Sequence, residues 1–157
     1  MIPINAPQIG EEEIEAVVKV MKSGILTNGL GAGPMVTQFE KSFAKFADTK
    51  HAVAVNTGTS ALHLAIAAAD IKSGDEIILP SFTFVATAET VVLAGAKPVF
   101  VDINPETYNI SPEAVEKAIT KKTKAIMPVD LYGLPAETQR IRKIADEHGL
   151  LVIEDAA

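Results

Sequence analysis

Short apolar runs alternate with stretches of helical periodicity through most of this sequence. The runs cover residues 51–56, 76–80, 97–102, 124–129 and 150–155. Strands that are buried on both faces of a parallel sheet read as near-continuous apolar runs of this kind, and helices connect them. The pattern therefore predicts an α/β fold, in which a mostly parallel sheet of five strands carries helices on both faces.

The boundaries of the intervening helices have identifiable causes. An Ala- and Leu-rich stretch over residues 59–70 begins with hydroxyl-bearing residues, and Ser111 followed by Pro112 has the residue types of an N-cap and a first helical position. Gly149 is expected to end a helix that begins after Pro135.

Two further helices are predicted before the first strand, where apolar residues recur at spacings of three and four. The two stripes consist of Ile14, Val17, Val18 and Met21, and of Val36, Phe39, Phe43 and Phe46. Both helices are interpreted as packing elements. The segment between them, residues 23–34, contains four glycines and is expected to form a flexible loop or an arm.

The composition favours one folded domain and argues against several classes of function. Of the 157 residues 48% are apolar, which is enough for a buried core. A net charge of −6 argues against nucleic-acid binding, and the lack of cysteine excludes disulfides and thiolate nucleophiles. Because the sequence shows neither a signal-peptide pattern nor a long apolar segment, we expect a soluble, cytoplasmic protein that does not bind a membrane.

The first predicted strand is followed by the sequence NTGTSAL, residues 56–62. In parallel α/β sheets, ligands bind at the carboxyl ends of the strands, where amides at helix N-termini point outward. Gly58 suits a tight turn there, and free amides together with the hydroxyls of Thr59 and Ser60 would bind a phosphate. The alternative is that Thr59 or Ser60 only caps the helix.

Two aromatic residues, Phe82 and Phe84, stand where the second predicted strand gives way to a helix. Alternate residues at such a position point in opposite directions, so one ring can lie on a planar ligand while the other enters the core. The alternative is that both rings pack in the core.

Acidic residues stand at the ends of three predicted strands. The fifth strand ends in Glu154 and Asp155, and a carboxylate there would pair with a cation, such as a protonated heteroaromatic nitrogen, or would be a solvated strand-end acid. Asp102 and Asp130 have the same two interpretations, although the sequence after Asp102 favours a turn.

Other catalytic patterns are missing from the sequence. His51, His63 and His148 do not have the spacing of a metal site, and no G-x-S-x-G elbow follows a strand. The glycines within residues 29–33 precede the first strand instead of following it, which argues against a dinucleotide-binding fingerprint.

Five segments in register resemble the DegT/DnrJ/EryC1/StrS family of pyridoxal-phosphate sugar aminotransferases. They are NTGTSAL, GDEIILPSFTFVATAE, AGAKPVFVDINPETYNI, KTKAIMPVDLYGLP and HGLLVIEDAA. The resemblance extends from the glycine-rich segment to the last residue. It implies a PLP-dependent transferase of fold type I, with residues 1–157 forming the N-terminal part of its large, cofactor-binding domain.

The resemblance assigns cofactor-binding roles to five residues. Gly58, Thr59 and Ser60 match the segment that holds the phosphate of pyridoxal 5'-phosphate. Phe84 matches the aromatic residue that stacks on the pyridine ring, and Asp155 matches the acid that pairs with the pyridine nitrogen. An acid at this nitrogen keeps it protonated, which allows the ring to accept electrons.

The resemblance also implies the reaction. Members of the family transfer an amino group, typically from glutamate, to a nucleotide-linked keto sugar, and a lysine forms the Schiff base with the cofactor. That lysine is expected beyond Ala157, together with the rest of the large domain and the small domain. No catalytic residue is therefore expected within this chain, which alone should be inactive. The lysines that flank its strands, Lys97 among them, are interpreted as solvated charges.

Two departures from the family pattern carry expectations. Many relatives have histidine at the cofactor rim where this chain has Asp130. In the family, two later strands separate the first strand of this chain from its fifth. Residues 51–56 are therefore expected to pair anew or to be completed by another chain, unless the sequence is a truncated product.

Two alternative functions stay open at this stage. One is a sugar dehydratase of the same superfamily, with histidine in place of the lysine, and the other is a noncatalytic cofactor-binding module. A homodimer is implied, because family sites are completed by a neighbouring subunit. The arm at residues 27–33 is expected to extend towards that neighbour.

Overall fold

The computed structural model describes residues 6–27 and 33–157. They belong to two compact units, one that ends at Ala54 and one that spans Val55–Ala157. The first unit contains helices α1 (Glu11–Ser23) and α2 (Pro34–Phe46). The second contains α3 (Gly58–Ala68), β1 (Glu76–Pro80), α4 (Val85–Leu93), β2 (Lys97–Val101), α5 (Pro112–Ala118), β3 (Thr123–Ile126), a 3-10 turn (Leu131–Gly133), α6 (Thr138–His148) and β4 (Leu151–Val152).

The two helices of the first unit form where the sequence predicts them. Gly24 ends α1 in a left-handed conformation with φ of 71°, and Pro34 is the first residue of α2. Within the described residues α1 has no buried residue and α2 has Ala44, so the interpretation of both helices as packing elements stays a prediction. Residues 28–32 of the predicted arm lie outside the described residues.

The sheet of the second unit is parallel and has the order β2-β1-β3-β4. Five consecutive residues of β1 pair with β2, from Glu76 opposite Lys97 to Pro80 opposite Val101. All five residues of β1 are buried, as expected for a strand that is covered on both faces.

Alternate residues of the central strand face two separate apolar layers. Ile77 and Leu79 pack with the buried residues Leu62, Ile66 and Val91 of α3 and α4. The residue between them, Ile78, packs on the opposite face with apolar residues of α5 and α6, including Val115, Ile141 and Ile144. The α/β fold with helices on both faces of a parallel sheet is therefore confirmed.

One of the five predicted strands is absent. Residues 51–56 form no strand, and the four-stranded sheet does not include them. The side chain of Val53 is 77% exposed, and the amide of Ala54 donates to Oε1 of Glu40 at 3.0 Å. The periodicity was compatible with a strand, but a strand also needs a neighbour to complete its ladder. The carboxylate of Glu40 takes the place of a strand partner at Ala54.

The predicted helix ends of the second unit agree with the structure. The hydroxyl of Ser111 accepts from the amide of Ala114 at 3.2 Å, and Pro112 follows as the first helical residue. Gly149 ends α6 with a left-handed φ of 64°. In the described part of the chain, no helix has the length and apolarity needed to cross a membrane.

Candidate functional site

A cavity of about 410 Å³ opens at the carboxyl ends of the strands in the second unit. Its wall combines the start of α3 with the segments that follow β1, β3 and β4. The lining residues are Gly58, Thr59, Leu62, Thr83, Phe84, Ala86, Val129, Leu131, Tyr132, Asp155 and Ala157. Four of the five residues assigned to cofactor binding therefore meet at one cavity.

The start of α3 presents unpaired amides to this cavity. Thr57 is the N-cap, and its hydroxyl oxygen accepts from the amide of Ser60 at 3.0 Å. The alternative interpretation, that Thr59 or Ser60 caps the helix, is therefore wrong, because the cap lies two residues before Thr59. Among the described residues, no group accepts from the amides of Gly58 and Thr59. Two donors at the positive end of a helix form a site for an anion.

Ser60 is the predicted site residue that does not line the cavity. Its hydroxyl donates to Oδ1 of Asn56 at 2.8 Å and accepts from the hydroxyl of Thr57 at 3.0 Å. Since a serine hydroxyl carries one proton, Ser60 can donate to a ligand only after its bond to Asn56 is exchanged. Ser60 closes the turn that presents the neighbouring amides.

The two aromatic residues after β1 both stay out of the core, contrary to both sequence interpretations. Phe84 is 74% exposed and lines the cavity. Phe82 lies against Tyr108 on the surface, with ring centroids 5.8 Å apart. Only Phe84 is placed to meet a planar ligand.

Asp155 is a buried carboxylate at the base of the cavity. Its Oδ2 accepts from the hydroxyl of Thr87 at 2.7 Å, and its Oδ1 accepts from the amide of Ala157 at 3.2 Å. The backbone of Asp155 is fixed by bonds to the carbonyl of Pro128 and the amide of Asp130, both at 2.9 Å. A carboxylate accepts about four hydrogen bonds, so Asp155 has capacity left for a donor in the cavity.

The other two strand-end acids, Asp102 and Asp130, do not line the cavity. Asp130 does not line the cavity, because its Oδ1 accepts from the amide of Ala136 at 2.9 Å and closes the loop after β3. Its neighbours Val129 and Leu131 do line the cavity, so the position of Asp130 at the cofactor rim stays a prediction. Asp102 is exposed, and the turn that follows it is closed by Asn104, whose Oδ1 accepts from the amide of Glu106 at 2.8 Å.

The rim of the cavity at Tyr132 is shaped by a brace, the three hydrogen bonds of the Asn109 side chain, which was not predicted from the sequence. Tyr132 lines this rim with φ of 55° and ψ of 25°, a left-handed conformation that is costly for a large side chain. The buried amide of Asn109 holds this turn: its Oδ1 accepts from the amide of Leu131, and its Nδ2 donates to the carbonyls of Leu134 and Pro135. Asn109 stands in the polar, turn-rich segment NPETYNISP, residues 104–112, so no local pattern marks its role.

The amino end of the sheet carries a separate ion pair. The carboxylate of Glu76 accepts from the hydroxyl of Thr120 at 2.6 Å and from Nζ of Lys97 at 3.1 Å. These hydrogen bonds, the one from Thr120 foremost, lower the pKa of Glu76. The side chain of Lys97 is 70% exposed, so its interpretation as a solvated charge holds, and the ion pair with the buried acid Glu76 is an addition to it. Within the described ranges, no three acidic or histidine side chains are grouped to hold a metal.

The cavity combines three kinds of binding group. Helix amides suit an anion, the exposed ring of Phe84 suits a flat aromatic ligand, and the carboxylate of Asp155 suits an N–H or a cation. A ligand that carries an anionic group and a basic nitrogen on one planar ring matches all three. Two of the binding groups belong to side chains, and the third belongs to the backbone.

Known proteins are similar to this chain in both sequence and fold. The family model for the DegT/DnrJ/EryC1/StrS aminotransferase family matches residues 7–157. The spore coat polysaccharide biosynthesis protein SpsC of Bacillus subtilis is 47% identical over 156 residues, which are 99% of this chain and 39% of SpsC.

Two solved structures are similar over most of this chain. DesV of S. venezuelae, solved in complex with a ketimine intermediate, is 42% identical with a TM-score of 0.86, over 94% of this chain and 38% of DesV. NtdA of Bacillus subtilis, solved with bound cofactor PMP, is 39% identical with a TM-score of 0.86, over 93% of this chain and 33% of NtdA. The chain spans about two fifths of the length of SpsC. Since the family model covers nearly all of it, the chain belongs to the DegT/DnrJ/EryC1/StrS aminotransferase family.

Proposed function

We propose that this chain supplies the cofactor-binding part of a pyridoxal 5'-phosphate-dependent sugar aminotransferase. The single observation that carries the proposal is that the free amides of Gly58 and Thr59, the ring of Phe84 and the carboxylate of Asp155 all line one cavity. The family that the chain belongs to supports the activity. In this proposal residues 1–157 are the N-terminal part of the large domain, and the Schiff-base lysine lies outside them.

The residues present fit the cofactor group by group. The amides of Gly58 and Thr59 would bind the phosphate, and Ser60 would hold the turn and add its hydroxyl once the bond to Asn56 is exchanged. The ring of Phe84 would cover one face of the pyridine ring. When bound, the cofactor supplies an electron sink for the carbon that gains or loses the amino group.

Asp155 would act on the pyridine nitrogen. A carboxylate that meets this nitrogen favours the protonated ring, because the two opposite charges attract. The donors from Thr87 and Ala157 hold the carboxylate in place at the cavity. Asp155 would therefore keep a proton on the pyridine nitrogen of the cofactor.

For the whole protein we propose transfer of an amino group from glutamate to a nucleotide-linked keto sugar, within a homodimer. The family of the chain supports the keto sugar. A sugar dehydratase of the same superfamily or a noncatalytic cofactor-binding module would show the same cavity. Supplying glutamate and nucleotide-linked keto sugars to the longer protein separates the three, because only the aminotransferase forms 2-oxoglutarate together with an amino sugar.

The cofactor-binding part of the proposal can be tested on this chain. Pyridoxamine 5'-phosphate has no aldehyde, so its binding does not need a lysine, and its fluorescence reports occupancy. We expect saturable binding of pyridoxamine 5'-phosphate. Pyridoxamine, which lacks the phosphate, should bind at least tenfold more weakly, and Asp155→Ala should bind pyridoxamine 5'-phosphate at least tenfold more weakly than the wild type. Equal binding of the two compounds would contradict the proposal. Stoichiometric attachment of pyridoxal 5'-phosphate to one lysine of residues 1–157 after borohydride reduction would contradict the position of the nucleophile.

A further inference from the structure

The buried hydroxyl of Thr87, on α4, contacts the carboxylate of Asp155, which lines the cavity. Thr87 has no exposed surface, and its hydroxyl donates to Oδ2 of Asp155 at 2.7 Å although 68 residues separate the two in sequence. A buried donor that is aligned with a charged acceptor forms one of the stronger hydrogen bonds in proteins. Thr87 therefore fixes where one carboxylate oxygen lies.

Thr87 is the middle of a short chain of hydroxyls. Its oxygen lies 2.9 Å from the hydroxyl of Thr83, which lines the cavity. Because Thr87 donates its only hydroxyl proton to Asp155, its oxygen is the acceptor of the hydrogen bond with Thr83. In a chain of hydrogen bonds each bond polarises the next, so the bond between Thr83 and Thr87 strengthens the one from Thr87 to Asp155.

The second carboxylate oxygen of Asp155 is held from another direction. Its Oδ1 accepts from the amide of Ala157 at 3.2 Å. One donor on each oxygen fixes the plane of the carboxylate as well as its position. The lone pairs that are left can then meet a ligand in the cavity at one defined angle.

We propose that Thr87 is a positioning residue, which orients Asp155 so that the carboxylate meets the ring nitrogen of the cofactor. The inference rests on the proposed function, since it needs a heteroaromatic ring in this cavity. Thr87 itself does not line the cavity, so it acts through Asp155. Loss of its hydroxyl should weaken one contact of the ring and leave the phosphate site unchanged.

A pair of probes isolates that contact. One probe is pyridoxamine 5'-phosphate, and the other is its 1-deaza analogue, in which a C–H group replaces the ring nitrogen. Thr87→Val keeps the shape of the side chain and removes the donor. We expect it to weaken binding of the nitrogen probe about tenfold and to change binding of the carbon probe less than twofold. Thr87→Ser restores the donor and should recover most of the preference.

The chain offers a matched control on the same helix. Thr90 is also fully buried, and its hydroxyl donates to the backbone carbonyl of Thr87 at 3.2 Å without touching Asp155. Thr90→Val should leave the ratio of the two affinities as in the wild type. Circular dichroism identifies any variant that does not fold. Thr87→Cys, with its weak donor, takes the place of Thr87→Val if that variant is unfolded, and the same selective loss is expected.

The outcomes separate the inference from the proposal on which it rests. If the wild-type chain binds both probes equally, Asp155 does not meet a ring nitrogen, and the proposed function fails. If the wild type prefers the nitrogen probe and Thr87→Val retains that preference, Thr87 does not position the carboxylate. Equal weakening of both probes by Thr87→Val, but not by Thr87→Ser, would show a purely structural role and would also overturn the inference.

Discussion

A Cβ atom placed on Gly58 would lie 3.3 Å from the Cβ of Ala157. This contact joins the first turn of α3 to the segment after β4, and both residues line the cavity. The lack of a side chain at Gly58 therefore permits a close approach of two segments and keeps the amides of the helix start accessible. The positive end of the helix can then face an anion directly.

Gly58→Ala is expected to weaken binding of pyridoxamine 5'-phosphate three- to tenfold, because the new methyl group shifts either the helix start or Ala157. The free energy of unfolding should change by less than about 1 kcal/mol, since alanine also favours the helix. Fluorescence titration and urea denaturation measure the two effects. Adding Ala157→Gly removes the opposing methyl group and should restore binding. Unchanged affinity in Gly58→Ala would contradict the importance of this contact.

The two phenylalanines after β1 are expected to respond in opposite ways. Phe84→Leu removes a ring that is 74% exposed, so the free energy of unfolding should change by less than about 0.5 kcal/mol. The affinity for pyridoxamine 5'-phosphate should fall about fivefold, because aromatic stacking on the ring is lost. These effects are measured by urea denaturation and by fluorescence titration.

Phe82→Leu is the matched control. It loses the contact with Tyr108 and should cost about 0.5–1 kcal/mol of stability while probe binding stays the same. If Phe82→Leu weakens binding as much as Phe84→Leu, the assignment of Phe84 to the ring is wrong.

Asn109 should be among the residues of the second unit that contribute most to its stability. Asn109→Ala leaves the amide of Leu131 and the carbonyls of Leu134 and Pro135 without their partner, which is expected to cost about 2–4 kcal/mol in urea denaturation. Faster hydrogen exchange at residues 131–135 should accompany the loss, since the turn that carries Tyr132 is no longer held.

Asn104 provides the comparison for that experiment. Its side chain also accepts from a backbone amide, that of Glu106, but in an exposed turn where water can replace it. Asn104→Ala should therefore cost less than about 1 kcal/mol. Equal effects of the two substitutions would contradict the argument that burial makes the brace of Asn109 important.

Local patterns predicted most of the fold because local causes determine it. The strand at residues 76–80 is an apolar run of the right length, and Ser111 and Gly149 fix helix ends through bonds to their own neighbours. The strand predicted for residues 51–56 failed, because strand pairing depends on a neighbour that no local pattern encodes.

The residues of the candidate site also divide into those that local patterns predict and those whose role depends on distant parts of the chain. Gly58, Thr59 and Asp155 could be selected because helix starts and strand ends meet at one edge of a parallel sheet. The roles of Ser60 and Asp130 could not, since nearby groups compete with a ligand for each side chain, and only the three-dimensional arrangement decides. The spacing of Thr83 and Thr87 does allow a hydroxyl pair, but the partnership of Thr87 with Asp155 joins distant parts of the chain.

The buried carboxylate of Glu76 makes stability depend on pH at the end of the sheet opposite the cavity. Its pKa lies below the usual value of 4.5 in the folded state, chiefly because Thr120 donates to it and then because Lys97 does. An acid with a lowered folded-state pKa binds protons more weakly when folded than when unfolded. Its contribution to stability is therefore complete above the usual value and disappears as the pH falls through the lowered one.

Glu76→Gln should therefore flatten the dependence of the free energy of unfolding on pH as the pH falls below the usual carboxyl pKa of 4.5. Urea denaturation at a series of pH values measures this slope against the wild type. Thr120→Val removes the larger of the two causes and leaves Lys97 in place, so its slope should lie between those of the wild type and Glu76→Gln. A wild-type slope in the Glu76→Gln variant would show that other carboxylates account for the acid sensitivity and that the hydrogen bond from Thr120 does not stabilise the folded chain.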